Sequence, residues 1–462
     1  MEQKEITEMN TPTDKSGNRA QFATKLGVIA TTVGSAVGLG NIWRFPFEAG
    51  THGGGAFLIC YIFFILVIGV PVICAEFIMG RGTQSNIFGA FRKLAPGKKW
   101  YFAGYIGILA SLMILSFYSV VAGWTLEYLI QSFTGSLSLA DAAEYHAKFN
   151  DFSTGNWRPV ICTLAFLLLN FLILRRGVTK GIEKMSNIMM PLLFLLLLVF
   201  CINSLLMPGA REGLDFLFHP DFSAINSRVL LGALGQAFFS LSLGLGCMAT
   251  YSSYFNKKTR LAKSAAITAS LDTGVALLAG IIIFPAVFTF NMSPQAGPTL
   301  VFEVLPSIFH NLPGGAFWST LFFFLLLLAS LTSTISMSEI SIAFFVEEKG
   351  MSRRNAVILN TLIACVFGIV CALSFGVLSG FTIFGLTVFN LFDYVSSNIL
   401  LPFGGMIISI FVGWFIDKKF VQSQLTNNGA FKLHSLKLLV FCMRFIAPAG
   451  IILVFLNSIG II

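Results

Sequence analysis

The stretch TTVGSAVGLGNIWRFPFEAG, residues 31–50, decides how the rest of the chain is interpreted. It continues an apolar run long enough for a membrane helix, yet several glycines precede Asn41, Arg44 and Pro46. Glycine and proline weaken a helix, and a charged residue at membrane depth is costly. A helix break at that depth is tolerated only where the freed backbone lines a cavity or is buried in protein. The stretch therefore predicts a membrane helix that is interrupted at a cavity or a protein-buried site.

The composition is that of an integral membrane protein. The 462 residues are 56% hydrophobic and 11% charged, with a mean hydropathy of +0.82, whereas soluble domains carry about 25% charged residues. The first 25 residues are polar, so no signal peptide is predicted. The eight cysteines form no CxxC pair and the five histidines no HExxH motif. We therefore expect neither an enzyme nor an organic cofactor.

Apolar segments predict eleven membrane spans, because a spanning helix needs about 20 apolar residues. Their predicted ranges are 26–50, 55–79, 101–131, 157–174, 182–206, 226–255, 262–290, 313–346, 355–374, 380–413 and 436–460.

The basic residues predict the orientation of the spans. Most of the 30 Lys and Arg residues fall in the N-terminal segment 1–25 and in every second loop. Cytoplasmic loops carry the excess of Lys and Arg, so the N-terminal segment is predicted to be cytoplasmic and the C-terminus to lie outside. The net charge of +9 is thereby explained by membrane topology, and no nucleic-acid partner is expected.

Two spans carry the same interruption. Gly-Leu-Gly occurs at 38–40 in span 1 and at 244–246 in span 6. Because five spans separate the two segments, the chain would consist of two five-helix units of opposite topology. Glycine-interrupted helices at matching positions of two such halves point to a binding site at their interface. The alternative is that Gly34 and Gly38 form a simple helix-packing face.

Four motifs carry a resemblance to a known family. They are GSAVGLGNIWRFP (34–46), HGGGAF (52–57), GQAFFSLSLGLG (235–246) and ASLTSTIS (329–336). With them the chain, from about residue 19 to its last span, resembles the neurotransmitter:sodium symporters, and within these the bacterial eleven-helix amino-acid transporters. The resemblance implies an all-α membrane protein with a LeuT-type fold, in which spans 1 and 6 are unwound mid-membrane. Two inverted repeats, 26–206 and 226–413, would be followed by one extra helix, 436–460.

The resemblance also implies two sodium sites. Sodium is a hard cation that takes oxygen ligands, which an unwound helix supplies as free carbonyls. The first site would use Ala36, Asn41, Ser240 and Asp272, and the second Gly34, Val37, Ala329, Thr332 and Ser333. The alternative for the hydroxyls of Thr332 and Ser333 is a hydrogen bond to the carbonyl one turn back in their own helix.

By the same resemblance, an amino acid would bind at the break in span 1. The amides of Leu39 and Gly40, with the Tyr118 hydroxyl, would hold its carboxylate, because helix N-termini favour anions. Relatives that carry biogenic amines have an aspartate where this chain has Gly38, so an amino acid is favoured over an amine. An apolar pocket then predicts a neutral hydrophobic or aromatic side chain. The expected substrate-binding residues are Ser35, Ala36, Gly38, Leu39, Gly40, Ile114, Tyr118, Phe239, Ser240, Ser242, Leu245, Thr334 and Met337.

Charged residues would form two gates and replace an anion. Arg44 would pair with Asp393 in the outer gate, and Arg19 with Glu347 in the inner gate; the alternative is ordinary interfacial charge. By the resemblance, Asp272 stands where many family members have asparagine and bind chloride, and Ala276 replaces the serine usual near that chloride. Both departures predict chloride-independent transport.

Three further residues are predicted to act where a span is unwound or can unwind. By the resemblance, Glu76 would bond amides freed near the break in span 6. The Gly181-x9-Pro191 pattern would allow the inner end of span 5 to unwind; the alternative is a loop glycine and an ordinary proline within the span.

The sequence thus predicts a sodium-coupled amino-acid symporter that works by alternating access. An amino-acid sensor or channel on the same fold, and a transporter of biogenic amines, are the alternatives. We expect two sodium ions, an amino acid and the lipid bilayer as partners, and a bacterial inner membrane as the location. The sequence is compatible with a monomer.

Overall fold

The computed structural model describes residues 21–137, 142–290, 300–310 and 313–458. Eight helices in these ranges are long and apolar enough to cross a membrane, and two bent pairs of helices bring the number of candidate spans to ten. In the predicted numbering, spans 2, 3, 5 and 7 to 11 are Gly55–Thr83, Lys99–Phe133, Val178–Leu205, Leu261–Thr289, Gly315–Lys349, Arg353–Leu373, Val388–Phe415 and Leu436–Asn457.

The remaining predicted spans are bent or broken. Span 1 consists of Lys25–Ala36 and Gly40–Thr51, which meet at 54°, and span 4 is Arg158–Leu174, which meets the preceding helix Glu144–Ser153 at 74°. Span 6 consists of Ser227–Ser240 and Cys247–Ser252, each too short to cross a membrane alone. All eleven predicted segments are therefore helical, while the repeat boundaries 26–206 and 226–413 stay a prediction.

Short elements connect the spans. The helices among them are Ile87–Leu94, Ala142–Ser153, Ala210–Phe218, the segment 300–310 and Lys418–Thr426, with a single turn at Phe222–Ala224. A two-stranded hairpin pairs Thr382–Ile383 with Leu386–Thr387. The hairpin occupies the first residues of the predicted span 380–413. The predicted start of this span is therefore wrong, and its helix begins at Val388. Phe384 and Gly385, both with positive φ, form the tight turn that separates the two strands and keeps them out of the helix.

The breaks in spans 1 and 6 follow from local backbone geometry. The first half of span 1 ends at Val37, whose backbone is extended. In span 6, Ser242, Gly244 and Gly246 have φ of 51°, 89° and 73°, a region that glycine adopts without steric cost. A Cβ at Gly244 would also lie 2.2 Å from the Leu401 carbonyl oxygen. Glycine is thus required there both by conformation and by packing.

Burial separates the centre of the protein from its lipid-facing edge. In the most apolar window of span 8, 83% of the residues are buried, against 33% in span 11. Span 8 is therefore central, and span 11 lies at the periphery.

Candidate functional site

The break in span 1 is closed by two side-chain oxygens. The Gly38 amide donates to the Asn41 side-chain oxygen at 3.0 Å, and the Leu39 amide donates to the Tyr118 hydroxyl at 2.9 Å. Leu39 and Tyr118 are buried. The amide and the hydroxyl predicted to hold a carboxylate are thus in direct contact.

A buried polar cluster lies one turn beyond the break. The Asn41 amide nitrogen donates to the Asp272 carboxylate at 2.7 Å and to the Ser240 hydroxyl at 2.9 Å. Ser240 donates to the other Asp272 oxygen at 2.7 Å, and the Tyr61 hydroxyl lies 3.5 Å from it. Spans 1, 2, 6 and 7 meet here, and Asn41 and Asp272 are fully buried. Within the described ranges no cationic side chain pairs with Asp272, so this carboxylate is available to a bound cation.

Gln236 extends the cluster. Its amide nitrogen donates to the Gly40 carbonyl at 3.2 Å, whereas its side-chain oxygen is buried without a partner. Such an orphaned acceptor is unusual in a protein interior.

The second predicted sodium site joins spans 1 and 8. The Ser333 hydroxyl donates to the Val37 carbonyl at 3.0 Å, and the Thr332 hydroxyl donates to the Ala329 carbonyl at 3.0 Å. A Cβ at Gly34 would lie 3.3 Å from the Thr332 Cβ. The structure therefore places Gly34 beside Thr332 and Val37 beside Ser333, while the sodium site itself stays a prediction. The Thr332 hydroxyl forms the alternative hydrogen bond within its own helix, whereas the Ser333 hydroxyl bonds to span 1.

The residues predicted to surround the substrate side chain are mostly buried. Ile114, Leu245 and Met337 are buried, and the Thr334 hydroxyl is turned onto the Ser330 carbonyl of its own helix. Phe239 is half-buried.

Phe239 and Ser242 both approach the break from span 6. A Cβ at Gly40 would lie 2.8 Å from the Phe239 ring. The Ser242 hydroxyl donates to the Ser35 carbonyl at 3.4 Å.

One of the two predicted outer gate residues, Arg44, lines an open cavity. Its volume is about 360 Å³, and Arg44 and Phe239 line it. The Arg44 guanidinium lies 4.1 Å from the Phe239 ring centroid, and its Nε is 3.6 Å from the Glu48 carboxylate. Asp393 accepts a hydrogen bond from Ser397. Within the described part of the chain no ion pair joins Arg44 to Asp393, so that pair stays a prediction.

Of the two predicted inner gate residues, only Glu347 lies in the described part of the chain. Glu347 accepts hydrogen bonds from the Asn86 backbone amide and side chain, both at 2.9 Å. The predicted partner Arg19 lies outside the described residues. Nearby, the Phe22 amide donates to the Tyr254 carbonyl at 3.0 Å, which attaches the start of span 1 to the inner end of span 6.

Glu76 occupies the place predicted for it. Its carboxylate accepts the Gly244 amide at 3.0 Å and the Ala249 amide at 3.1 Å. Gly244 lies within the turn that separates the two helices of span 6 and Ala249 in the first turn of the second helix, so Glu76 ties the break to the start of that helix.

The first half of span 5 contacts span 1 both at its start and in the helix before the break. Glu183 accepts the Ala23 and Thr24 amides at 2.9 and 3.1 Å, and the Thr24 hydroxyl at 3.0 Å. The Met190 sulfur would lie 3.2 Å from a Cβ at Gly34. Residues inside the Gly181-x9-Pro191 pattern therefore touch span 1 at two levels. The sequence analysis had not predicted the Glu183 contact.

One buried ionic cluster had no predicted role. Arg353 forms two hydrogen bonds with the Glu339 carboxylate, at 2.9 and 2.7 Å, and the Tyr254 hydroxyl donates to it at 2.7 Å. The signal available in the sequence was a carboxylate inside a span, since such a charge requires a cation nearby.

Comparison with known proteins identifies the family. A family model described as the sodium:neurotransmitter symporter family matches residues 19–152 and 144–462. The chain belongs to this family. An uncharacterised sodium-dependent transporter of Bacillus subtilis is 42% identical over 442 residues, which cover 96% of this chain and 98% of that protein. One of Haemophilus influenzae is 36% identical over 458 residues, 97% of this chain and 100% of that protein.

A solved structure confirms the predicted LeuT-type fold of the symporter. The crystal structure of MhsT in complex with L-phenylalanine superposes with a TM-score of 0.88 at 45% identity, covering 96% of this chain and all of that one. The family consists of sodium-dependent membrane transporters, not enzymes.

Proposed function

We propose that the symporter couples sodium influx to the uptake of a neutral amino acid with a hydrophobic or aromatic side chain. The observation that carries this proposal is the contact between the Leu39 amide and the Tyr118 hydroxyl, one turn from the cluster around Asp272. A carboxylate bound at the first would lie beside a sodium ion bound at the second. The L-phenylalanine bound to MhsT supports the same substrate class.

The space around Gly38 supports an amino acid rather than an amine. A Cβ at this position would lie 2.5 Å from the Ser333 hydroxyl and 2.9 Å from the Tyr118 hydroxyl. The aspartate of amine-carrying relatives therefore has no room here without a shift of both side chains. An amine substrate would lack a carboxylate partner at this point of the site.

Two sodium ions are proposed. The first would bind Ala36, Asn41, Ser240 and Asp272, and the second Gly34, Val37, Ala329, Thr332 and Ser333. Because the substrate carboxylate would itself contact the first ion, sodium and substrate would raise each other's affinity by the same factor. An ionised Asp272 would supply the negative charge that chloride gives other members, so transport is proposed to be chloride-independent.

Transport would proceed by alternating access in a bacterial inner membrane, with the N-terminus in the cytoplasm and the C-terminus outside. The cavity that Arg44 and Phe239 line supports an outer entrance. Closure would bring Arg44 to Asp393, while Arg19 and Glu347 would separate at the inner side. The monomer is proposed as the working unit.

Uptake by the purified protein in proteoliposomes tests the proposal. With an inward sodium gradient, labelled phenylalanine, leucine or tryptophan should accumulate above the outside concentration, and biogenic amines should not compete. Equilibration without accumulation would instead indicate a channel, and binding without uptake a sensor. The Gly38→Asp variant should lose uptake. The control is Gly274→Ala in span 7, where a Cβ would have no neighbouring atom within 4 Å, and this variant should retain uptake.

A further inference from the structure

A second cavity lies far from the substrate site, at the edge of the protein that is predicted to face the cytoplasm. Its volume is about 350 Å³, and it lies between the end of span 10, the helix Lys418–Thr426 and the first half of span 11. Lys418, Lys437 and Arg444 line it. The wall therefore carries three positive charges and no acidic side chain.

Arg444 is the deepest of the three cations. It lies eight positions after the start of span 11 at Leu436, which places its Cα about 12 Å along the helix. Its guanidinium lies 4.3 Å from the Trp414 ring centroid, and its Nε is buried without a hydrogen-bond partner. In the described part of the chain no carboxylate pairs with it. A charge at this depth needs a partner, and the protein supplies only an aromatic ring.

The two lysines stand at the mouth of the cavity. Lys418 and Lys437 are exposed, and neither is ion-paired within the described ranges. The nearest acidic residue in the sequence, Asp417, accepts the Lys419 amide as a helix cap and does not line the cavity. The positive charge of the cavity wall is therefore not balanced by an acidic side chain of the lining, and a bound anion would balance it.

The surroundings indicate what carries that anion. Trp414, Phe441 and Phe445 are 54%, 49% and 46% exposed, and their rings pack on one another at 5.1 and 5.2 Å. Phe441 and Phe445 line the cavity from span 11, the peripheral helix, and Trp414 packs on Phe445 from the end of span 10. Exposed aromatic rings next to cations at a helix end are suited to the interface between headgroups and acyl chains. A soluble anion would make no use of them.

The helices that form the cavity are locally irregular. Phe411–Phe415 and Cys442–Ile446 are π-helical turns that both contribute to its lining, and the Trp414 indole N–H of the first donates to the Arg444 carbonyl of the second at 2.8 Å. Such turns occur frequently at functional sites.

We propose that this cavity binds the phosphate of an anionic phospholipid headgroup. The phosphate would accept hydrogen bonds from Arg444 and attract Lys418 and Lys437, while the acyl chains would run along Trp414, Phe441 and Phe445. Basic pockets between membrane helices on the cytoplasmic side bind headgroups of this kind. The site is independent of the proposed transport function.

Native mass spectrometry of the purified full-length protein, titrated in detergent with phosphatidylglycerol, cardiolipin or phosphatidylcholine, tests the proposal. Both anionic lipids should bind more tightly than phosphatidylcholine. Each cation near an anionic headgroup contributes about fivefold in affinity. Phosphatidylglycerol should therefore bind about fivefold more weakly to Arg444→Gln, and about 25-fold more weakly to Lys418→Gln/Lys437→Gln.

A matched control is Lys432→Gln. Lys432 is an exposed lysine in the loop between the helix Lys418–Thr426 and span 11, and it does not line the cavity. This variant should bind phosphatidylglycerol as the wild type does. If Arg444→Gln does not fold, the exposed-lysine double variant still tests the site. Unchanged affinity in the variants, or equal affinity for phosphatidylcholine, would overturn the proposal. Complete displacement of the lipid by millimolar inorganic phosphate would also overturn it, because the site would then be one for a soluble anion.

Discussion

Replacing Asp272 with asparagine tests the proposed charge balance at the first sodium site. The carboxylate receives hydrogen bonds from Asn41 and Ser240, both at 2.7 Å. Asparagine keeps an acceptor oxygen, and its NH2 group can donate to the Ser240 hydroxyl, but the negative charge is lost. Two unit charges about 5 Å apart attract each other by about 3 kcal/mol at an effective dielectric constant of about 20. We therefore expect a net loss of about 3 kcal/mol in the binding of an ion at this site. That corresponds to roughly 150-fold weaker sodium binding.

The assay is sodium-dependent uptake in proteoliposomes, measured in chloride and in gluconate. The wild type should be insensitive to the anion, whereas Asp272→Asn/Ala276→Ser should recover uptake in chloride only. Asp221→Asn makes the same chemical change at an exposed carboxylate and should leave the sodium dependence unchanged. If wild-type uptake collapses in gluconate, or if Asp272→Asn keeps the wild-type sodium dependence, the reasoning is refuted.

Three further changes have defined outcomes. Tyr118→Phe removes the hydroxyl that holds the Leu39 amide and should weaken substrate binding by ~10-fold or more in equilibrium binding assays, with its thermal midpoint as the control for folding. Ser333→Ala should raise the sodium concentration for half-maximal uptake, whereas Ser333→Thr, which keeps the hydroxyl, should not. The hydrogen bond to Glu48 raises the pKa of His52 above 6.5, so its stabilising effect should be complete below pH 6.5 and fade as the pH rises through the native pKa. Thermal unfolding of His52→Gln should lack this dependence, and identical pH profiles for the variant and the wild type would contradict it.

The helix breaks could be predicted because their cause is local. Glycine within an apolar run marks a weak helix wherever the chain folds, and the positive φ of Gly244 and Gly246 expresses the same property. The cluster of Asn41 and Asp272 became predictable only through the resemblance to the family. Nothing in periodicity relates two residues separated by 231 positions.

Two side-chain contacts were not predicted, for different reasons. The sequence assigned Arg44 to a distant aspartate, whereas the structure places it beside Glu48, one turn away. That spacing of four was visible in the sequence, and it was outweighed by the family pattern. Glu339 had no predicted partner because Arg353 lies on the next helix, and the register between two helices is set by packing alone.

The attachment of span 1 to Glu183 bears on how fast the protein works. Three hydrogen bonds to one carboxylate fix the first turn of span 1 against span 5, and any inward swing of that turn must break them together. They contact neither the ions nor the substrate in the proposed sites, so they would set the waiting time before opening and leave affinity untouched. Removing these hydrogen bonds should shorten the dwell time of the inward-closed state, as measured by single-molecule fluorescence. The turnover rate of the transporter would then be set in part by a carboxylate that contacts neither the substrate nor the ions.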